Sequence, residues 1–489
     1  LSPILFLVKR AAQLDHRHVW HPFTQMRDWL QREPLMIREG QGAVLRDDRG
    51  REFLDANSSI WTNLHGHNHP RLNRALRGQL GKLAHCSALG LANEPAAELA
   101  GKLSGAAGGR LVKTFFSDDG STALEVAIKL AYEYTRRTGR SAKPRFVAMQ
   151  GAYHGDTVGA VSVGHIDLFH RAYAGMLFQS DAVMAPYCYR CPFNRAKPER
   201  NDARKYRKCN WECVGKVERT FARQKQRGNP YAAFVFEPLM QGAAGMIPQP
   251  SGWLKQVTDI ARGYGALLIA DEVMTGFGRT GITCHVTDAA IAKAAKKPER
   301  VPVFATSRLK VPVDFLCVAK GLTGGYLPMA ATLTTKAVFD AFLGRYEEFK
   351  TFFHGHSYTG NPLGAAVSLA SLAELQSRKS VIARGKLQRA LEEELQTLWA
   401  LPNVGDIRQV GLIAGVELVR DWKTRQPFEL RERAGIRVCE AMTRRGVLTR
   451  PIGSVVVLMP PYCTTRAQVR KMVGALREAI EEVFGPGRI

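Results

Sequence analysis

Five short apolar runs constrain this chain more than anything else in it: "RFVAMQ" (145–150), "AAFVFEP" (232–238), "ALLIADE" (266–272), "DFLCVAK" (314–320) and "AATLTT" (330–335). Each is short for a helix and bounded by polar or turn residues, so each reads as a strand buried on both faces. Helical stretches lie between them. Ahead of them, "LVKTFFSDDGSTALEVAIKLAYEYTRRTG" (111–139) reads as strand, glycine turn and helix, with Ala123, Val126, Ala127, Leu130, Ala131 and Tyr134 at helical spacing and Gly139 as the stop. This alternation predicts an α/β fold with a mostly parallel sheet, and ligands of such sheets bind at the carboxyl ends of the strands.

The chain has 489 residues, more than the roughly 250 to 300 at which a single core stops growing, so a second domain is expected. From about residue 340 the pattern shifts to long amphipathic helices, ending in "RAQVRKMVGALREAIEEVF", where Val469, Met472, Val473, Leu476, Ile480 and Val483 share a face. Residues 190–229, strongly basic, and 287–312 read as surface excursions. No run of eighteen apolar residues occurs, so no membrane partner is expected. The opening "LSPILFLVKRAAQ" carries its basic pair after the apolar stretch, the reverse of a secretory signal. Nine scattered cysteines predict reduced thiols and a cytoplasmic location.

Lys and Arg outnumber Asp and Glu by 69 to 44, a formal net charge of +25. The basic residues are spread along the chain rather than interleaved with aromatics, so nucleic acid is not expected as a partner. The summed field can still gather an anionic substrate. Cys188 and Cys191 in "CYRC", with Cys209 and Cys213 in "CNWEC", have a spacing that tolerates a tetrahedral zinc site and equally four free thiols.

The strand ends carry the chemistry. "FFSDDGST" places Gly120 and Ser121 at a helix N-terminus, where free N–H groups and the dipole favour a phosphate, although Ser is also a common cap. "QGAYHGDT" follows a strand with Tyr153 beside His154 and Asp156; that ring can stack on a flat ligand or fill core. Asp271 and Lys320 each end a buried run, where an unpaired charge is costly. Either they pair with each other, or one organic ligand satisfies both. A desolvated lysine amine is a nucleophile for an aldehyde, and a carboxylate facing a ring nitrogen keeps that nitrogen protonated. Phosphate cradle, aromatic, carboxylate and amine together specify pyridoxal 5'-phosphate. Glu272 points away from Asp271 by strand alternation and reads as structural. Glu237, at another strand end, reads as the structural partner of an arginine.

"LLIADEVMTGFGRTG" (267–281) and "DFLCVAKGLTGGYLPMAATLTT" (314–335) resemble the signature of class III pyridoxal-phosphate aminotransferases. The resemblance implies fold type I: a large α/β domain with a mostly parallel seven-stranded sheet, and a smaller α+β domain. On that pattern residues 66–339 form the large domain, 340–489 the small one, and 1–65 an N-terminal segment joining the small domain. "HVWHPFTQM", "SSIWTNLHGHNHP", "YHGDTVGAVSVG", "HGHSYTGNPL" and "GVLTRPIGSVVVLMPPY" further resemble the branch of the family that makes 7,8-diaminononanoate from 8-amino-7-oxononanoate in biotin biosynthesis, with S-adenosylmethionine as amino donor. Other members act on 4-aminobutyrate, ornithine or diamines, and lysine is a further donor.

The resemblance also implies roles. Lys320 would bond to the cofactor and carry protons as general acid/base. Asp271 would meet the pyridine nitrogen, Gly120 and Ser121 the phosphate, and Tyr153 the ring and the substrate. In a homodimer, Gly355, His356 and Ser357 would reach the neighbour's phosphate and substrate. Arg450 would take the carboxylate of the keto acid substrate. Phe23 stands where the family often has a Tyr, Ile60 replaces the first of a Trp pair and leaves Trp61, and His356 with Ser357 replaces a Pro with Thr. All of these residues fall on the substrate or cofactor side of the implied site.

Overall fold

The apolar runs assemble into one seven-stranded sheet. In chain order its strands are β1 (Lys113–Ser117), β2 (Arg145–Met149), β3 (Asp181–Val183), β4 (Tyr231–Phe236), β5 (Leu267–Asp271), β6 (Phe315–Val318) and β7 (Ala330–Thr334); in space they run β1-β7-β6-β5-β4-β2-β3. This computed structural model describes residues 3–283 and 286–485, with side chains from Arg10 onward. Leu1 and Ser2, with which the stretch read against a secretory signal begins, lie outside the described residues, as does Cys284.

Neighbours from β3 through β6 are parallel, whereas β7 runs antiparallel to both β6 and β1. The segment joining β6 to β7 is too short to hold a crossover helix, which parallel pairing requires, so the chain reverses there. β3 is the strand that the apolar pattern did not reveal, a three-residue edge with only Val183 buried.

Alternation along the strands divides the core. Phe146, Ala148, Val235, Ile269 and Cys317 pack with helix α1 (Gly120–Arg137) on one face. Val147, Met149, Phe234, Leu268 and Leu316 pack on the other with Val217, Phe221, Trp253 and Val257 of helices Glu212–Gln226 and Trp253–Gly263. Parallel register sets Asp271 level with Cys317, so the ends of β5 and β6 open on the same edge.

A second, antiparallel sheet is formed by Val404–Val410, Ile413–Asp421, Val455–Leu458 and Pro451–Ile452, against helices Arg378–Gln396 and Arg466–Phe484. The strands Ile37–Gln41, Val44–Asp47 and Glu52–Asp55 form a further sheet with Val447–Leu448. No described helix is long and apolar enough to cross a membrane.

Neither expected excursion is loose on the surface. Residues in 190–229 dock on the second sheet: Arg190 ion-pairs with buried Glu417 at 2.5 Å, Arg200 donates to the Val404 carbonyl, and Arg204 to that of Gln409. Their charges are spent on buried acceptors, which composition alone could not show. Residues 287–312 bury Ile291, Ala295, Val301, Val303 and Phe304, partly against Val381. The four cysteines with zinc-like spacing share one neighbourhood, Cys188 lying within electrostatic reach of Cys191, Cys209 and Cys213. Cys188 packs with Tyr189 and Ala203, Cys213 enters the main core, and the Cys209 sulfur accepts from Arg207 at 3.0 Å. Among the described residues no group of three or more His, Cys, Asp or Glu is placed to hold a metal.

Candidate active site

A cavity of about 1150 Å³ opens at the carboxyl edge of the seven-stranded sheet, with Gly120, Ser121, Tyr153, Asp271, Lys320 and Arg450 in its wall. Asp271 is a buried charge in that wall. One carboxylate oxygen lies 2.7 Å from His154 Nδ1, and the other accepts the Val273 N–H at 3.0 Å. The Asp271–Lys320 pair that the sequence left open is therefore not made; a fully buried imidazole is the partner instead. Each Asp271 oxygen retains a lone pair for a further donor.

Lys320 follows β6 with a left-handed backbone, φ 42°. For a branched-off side chain of this size that conformation costs about 1–3 kcal/mol, strain of a kind that gathers at functional sites. Nζ sits 4.4 Å from the centroid of the Trp61 ring and makes no hydrogen bond or ion pair among the described residues. Burial pulls the amine down to about 8, with Asp271 and Glu237 opposing the shift. Trp61 is itself held by its indole N–H on Asn57 Oδ1 at 2.9 Å, in a segment where Ser58, Ser59 and Trp61 all have positive φ.

At the other end of the cavity α1 presents its N-terminus. Asp119, not Ser121, is the cap: its carboxylate accepts the Thr122 N–H at 2.9 Å, which leaves the first-turn N–H groups beside it unused by the helix. Ser121 Oγ accepts the Asp156 N–H at 3.3 Å. Close approach fixes two glycines here. A Cβ on Gly120 would meet Val273 at 2.9 Å, and one on Gly155, already at φ 120°, would meet Ser121 Oγ at 2.0 Å.

Tyr153 lies between these ends. Its hydroxyl donates to Asp156 Oδ2 at 2.6 Å, and burial together with Asp156 pushes the phenol pKa upward, so it stays protonated. Its backbone N–H donates to Glu237 Oε1 at 3.3 Å, while Glu237 Oε2 accepts the Gly242 N–H at 2.8 Å. No described arginine pairs with Glu237; the backbone N–H groups of Tyr153, after β2, and Gly242 satisfy it, and burial pushes its carboxyl up to about 7.

Phe23, Ile60 and Trp61 complete the apolar side of the wall. Arg450 makes no ion pair among the described residues and is exposed to the cavity. Gly355, His356 and Ser357 are not in the wall: His356 Nδ1 lies 2.8 Å from Asp118 Oδ2, and the Ser357 carbonyl accepts from His85 Nε2 at 2.9 Å. Sequence reasoning gave His154 and Asp156 no role. The available signal was their place directly after a buried strand, beside an aromatic residue already singled out.

The aminotransferase class III family matches residues 26–292 and 302–480 of this chain. The chain belongs to the class III aminotransferases. The internal gap in the match to this aminotransferase falls inside the 287–312 stretch. It is 45% identical over 474 residues to the adenosylmethionine-8-amino-7-oxononanoate aminotransferase of Geobacter sulfurreducens, covering 96% of this chain and 97% of that one. It is 38% identical to the enzyme of the same name from Methanocaldococcus jannaschii, covering 96% and 97%. The crystal structure of that archaeal protein superposes with a TM-score of 0.85 at 35% identity, over 97% of this chain and 99% of that one. The omega transaminase of Pseudomonas jessenii in complex with PMP superposes at 0.84 with 26% identity, over 96% and 98%.

Class III aminotransferases depend on pyridoxal 5'-phosphate. The wall of this one fits that group: an unpartnered amine, a buried carboxylate with lone pairs to spare, a helix N-terminus that no side chain bulk obstructs at Gly120, and an aromatic ring between them.

Proposed function

We propose that this aminotransferase converts 8-amino-7-oxononanoate to 7,8-diaminononanoate in biotin biosynthesis, with S-adenosylmethionine as amino donor. The observation that carries the reading is Arg450, an uncommitted guanidinium in the same cavity as Lys320 and Asp271. It supplies a planar fork for a substrate carboxylate while the amine acts at the other end. The shared name of full-length relatives at 38 to 45% identity narrows the substrate pair.

Pyridoxal 5'-phosphate, when bound, supplies an aldehyde to take the amino group and an electron-poor ring to hold the electrons of the broken C–H bond. Gly120 and Ser121 would hold its phosphate at the N-terminus of α1, and Asp271, fixed by His154, would keep the ring nitrogen protonated. Lys320 would hold the cofactor's aldehyde end, and its amine, brought near neutrality, would move a proton at the substrate carbon. Tyr153 would flank the ring. Phe23, Ile60 and Trp61 shape the substrate side, where Phe23 and Ile60 offer apolar surface and no hydrogen bond.

We assign a homodimer as the working unit. Leu89, Leu91, Phe353 and Tyr358 leave large apolar side chains in water around the Gly355–His356–Ser357 loop, which does not line its own cavity. Burying such residues in a partner is favourable, by about 25 cal/mol per Å². In that arrangement the loop reaches the neighbour's phosphate and substrate. The reaction is assigned to the cytoplasm, in keeping with eight described cysteines that are all unpaired.

The test is a titration of the visible absorption of the purified, cofactor-loaded enzyme. S-adenosylmethionine bleaches the cofactor band and 8-amino-7-oxononanoate restores it. Bleaching by lysine, 4-aminobutyrate, ornithine or a diamine, with no response to S-adenosylmethionine, overturns the donor assignment. Light scattering that returns a single-chain mass overturns the dimer.

A further inference from the structure

We propose that His170 is the positioning residue for the Tyr153 wall, steadying the Asp156 carboxylate that holds the Tyr153 hydroxyl and backing the Tyr153 ring itself. The proposal rests on the reading above in one respect, that Tyr153 lies against the cofactor. His170 closes the short helix Asp167–His170 and takes no part in the cavity wall, so whatever it does for the reaction it does through its neighbours.

Three contacts define its place. Its ring stands nearly parallel to that of Tyr153, at 14°, with centroids 6.1 Å apart. Its Nδ1 accepts the Ile166 N–H at 3.0 Å. A ring nitrogen that accepts carries no hydrogen, so neutral His170 has its hydrogen on Nε2. Nε2 lies 3.5 Å from Asp156 Oδ1 and has no other partner among the described residues. At that distance the contact is electrostatic, and a small rotation of the carboxylate closes it to a hydrogen bond.

The asymmetry of burial gives the contact its purpose. The His170 side chain is 3% exposed and that of Asp156 52% exposed. Left alone, Asp156 is free to turn to water, yet it joins two parts of the cofactor cradle: its Oδ2 accepts from the Tyr153 hydroxyl at 2.6 Å, and its N–H donates to Ser121 Oγ at 3.3 Å. Among the described residues, His170 is the one buried group that faces the oxygen Tyr153 does not use. Phe169, packed edge-on against both Phe23 and His170, and His165, 5.8 Å from His170, close the ring in from the other sides. The imidazole therefore transmits the fixed position of the Ile166 backbone to a carboxylate at the edge of the cavity.

Substitution separates the parts. His170→Phe keeps a flat ring behind Tyr153 and removes the donor, and His170→Gln keeps a donor without the ring. Cofactor-free protein is titrated with pyridoxal 5'-phosphate, with no substrate present. His170→Phe is expected to bind about tenfold more weakly, at an unchanged melting temperature, and to raise the KM for the amino donor more than it lowers kcat. His170→Gln recovers part of the loss. Asp156→Asn shows a similar loss, and the double variant Asp156→Asn/His170→Phe is no worse than either single change, because both break one unit. Wild-type affinity in His170→Phe, or losses that multiply in the double variant, overturns the proposal. A melting temperature that falls in step with affinity in both His170 variants makes the residue merely structural and overturns it too. Because the titration uses no substrate, a failure of the assigned donor or keto acid leaves this result standing and is told apart from it.

Discussion

His154 Nδ1 meets Asp271 Oδ2 at 2.7 Å, with both side chains out of water. That pairing explains how an otherwise apolar strand, β5, can end in a carboxylate. The imidazole and the Val273 N–H hold the group in place, and its outer lone pairs stay available at the cavity. Asp271→Asn keeps the shape and removes the charge that stabilises a protonated ring nitrogen. Transamination is expected to fall by at least about 100-fold, the scale of losing one preorganised electrostatic group. Half-reaction rates beside a thermal melt check this; a rate within tenfold of wild type at equal stability rejects the role.

Glu272, the next residue, does the opposite work. Its carboxylate accepts the N–H groups of Ala305 and Thr306 at 2.6 and 2.8 Å and the Thr306 hydroxyl at 2.6 Å, tying β5 to the 287–312 stretch. Glu272→Ala leaves buried donors unsatisfied and is expected to destabilise by about 2–4 kcal/mol at pH 5.5, with cofactor affinity little changed. Burial pushes the carboxyl up to about 7 from 4.5. The folded state thus holds the extra proton between those values, and the stability that Glu272 contributes is complete below 4.5 and declines as pH rises through 7. Urea melts at pH 5.5 and pH 8 should show the gap between variant and wild type narrowing at the higher pH.

These two acids also show what could be read in advance. Strand alternation separated Asp271 from Glu272 because a period of two is a local property of the backbone. The same locality exposed β4, β5 and β6 as continuous apolar runs and placed Lys320 and Tyr153 at strand ends. His154 as the partner of Asp271 was not legible, since 117 residues separate the two and only the pairing of β2 with β4, and β4 with β5, brings their ends together. Arg190 and Arg200 were misread as solvated for a related reason: their acceptors, Glu417 and the Val404 carbonyl, come from about 200 residues further on, whereas Arg204 divides its guanidinium between nearby Asp202 and the distant Gln409 carbonyl. Cys188 and Cys213, which have the spacing of ligands, also fill space as small apolar residues in two clusters, a use that only packing reveals.

Arg450 is expected to govern one substrate more than the rest of the reaction. Arg450→Ala should raise the KM for the keto acid by about 100-fold, roughly 2.7 kcal/mol, with the melting temperature unchanged because no described residue pairs with it. Arg450→Lys should recover only part, since a point charge does not reproduce the bidentate fork. Steady-state kinetics with each substrate varied in turn decides the matter. Equal KM values for wild type and Arg450→Ala would show that the carboxylate binds elsewhere.

Lys320 is a cost to the cofactor-free protein, and pH exposes it. Its amine is pulled down to about 8 from 10.5 because burial disfavours the ammonium more than Asp271 and Glu237 favour it. Between those values the unfolded chain binds the proton that the folded one lacks, so the contribution of Lys320 to stability is complete only above 10.5 and is lost as pH falls through 8. Lys320→Met puts an unbranched apolar chain in the same space. Stripped of cofactor, the variant should be more stable than wild type at pH 7 by about 1–3 kcal/mol, the partial exposure of the residue keeping the gain below the full value of the shift. The advantage should shrink steadily from pH 8 toward 10.5. With cofactor present the order reverses, because wild type gains the free energy of a covalently held ligand that Lys320→Met cannot hold. Urea melts across pH, with and without pyridoxal 5'-phosphate, test both halves. A variant less stable than wild type at pH 7 in the absence of cofactor would mean that the ammonium is well solvated, and that its reactivity needs another source than burial.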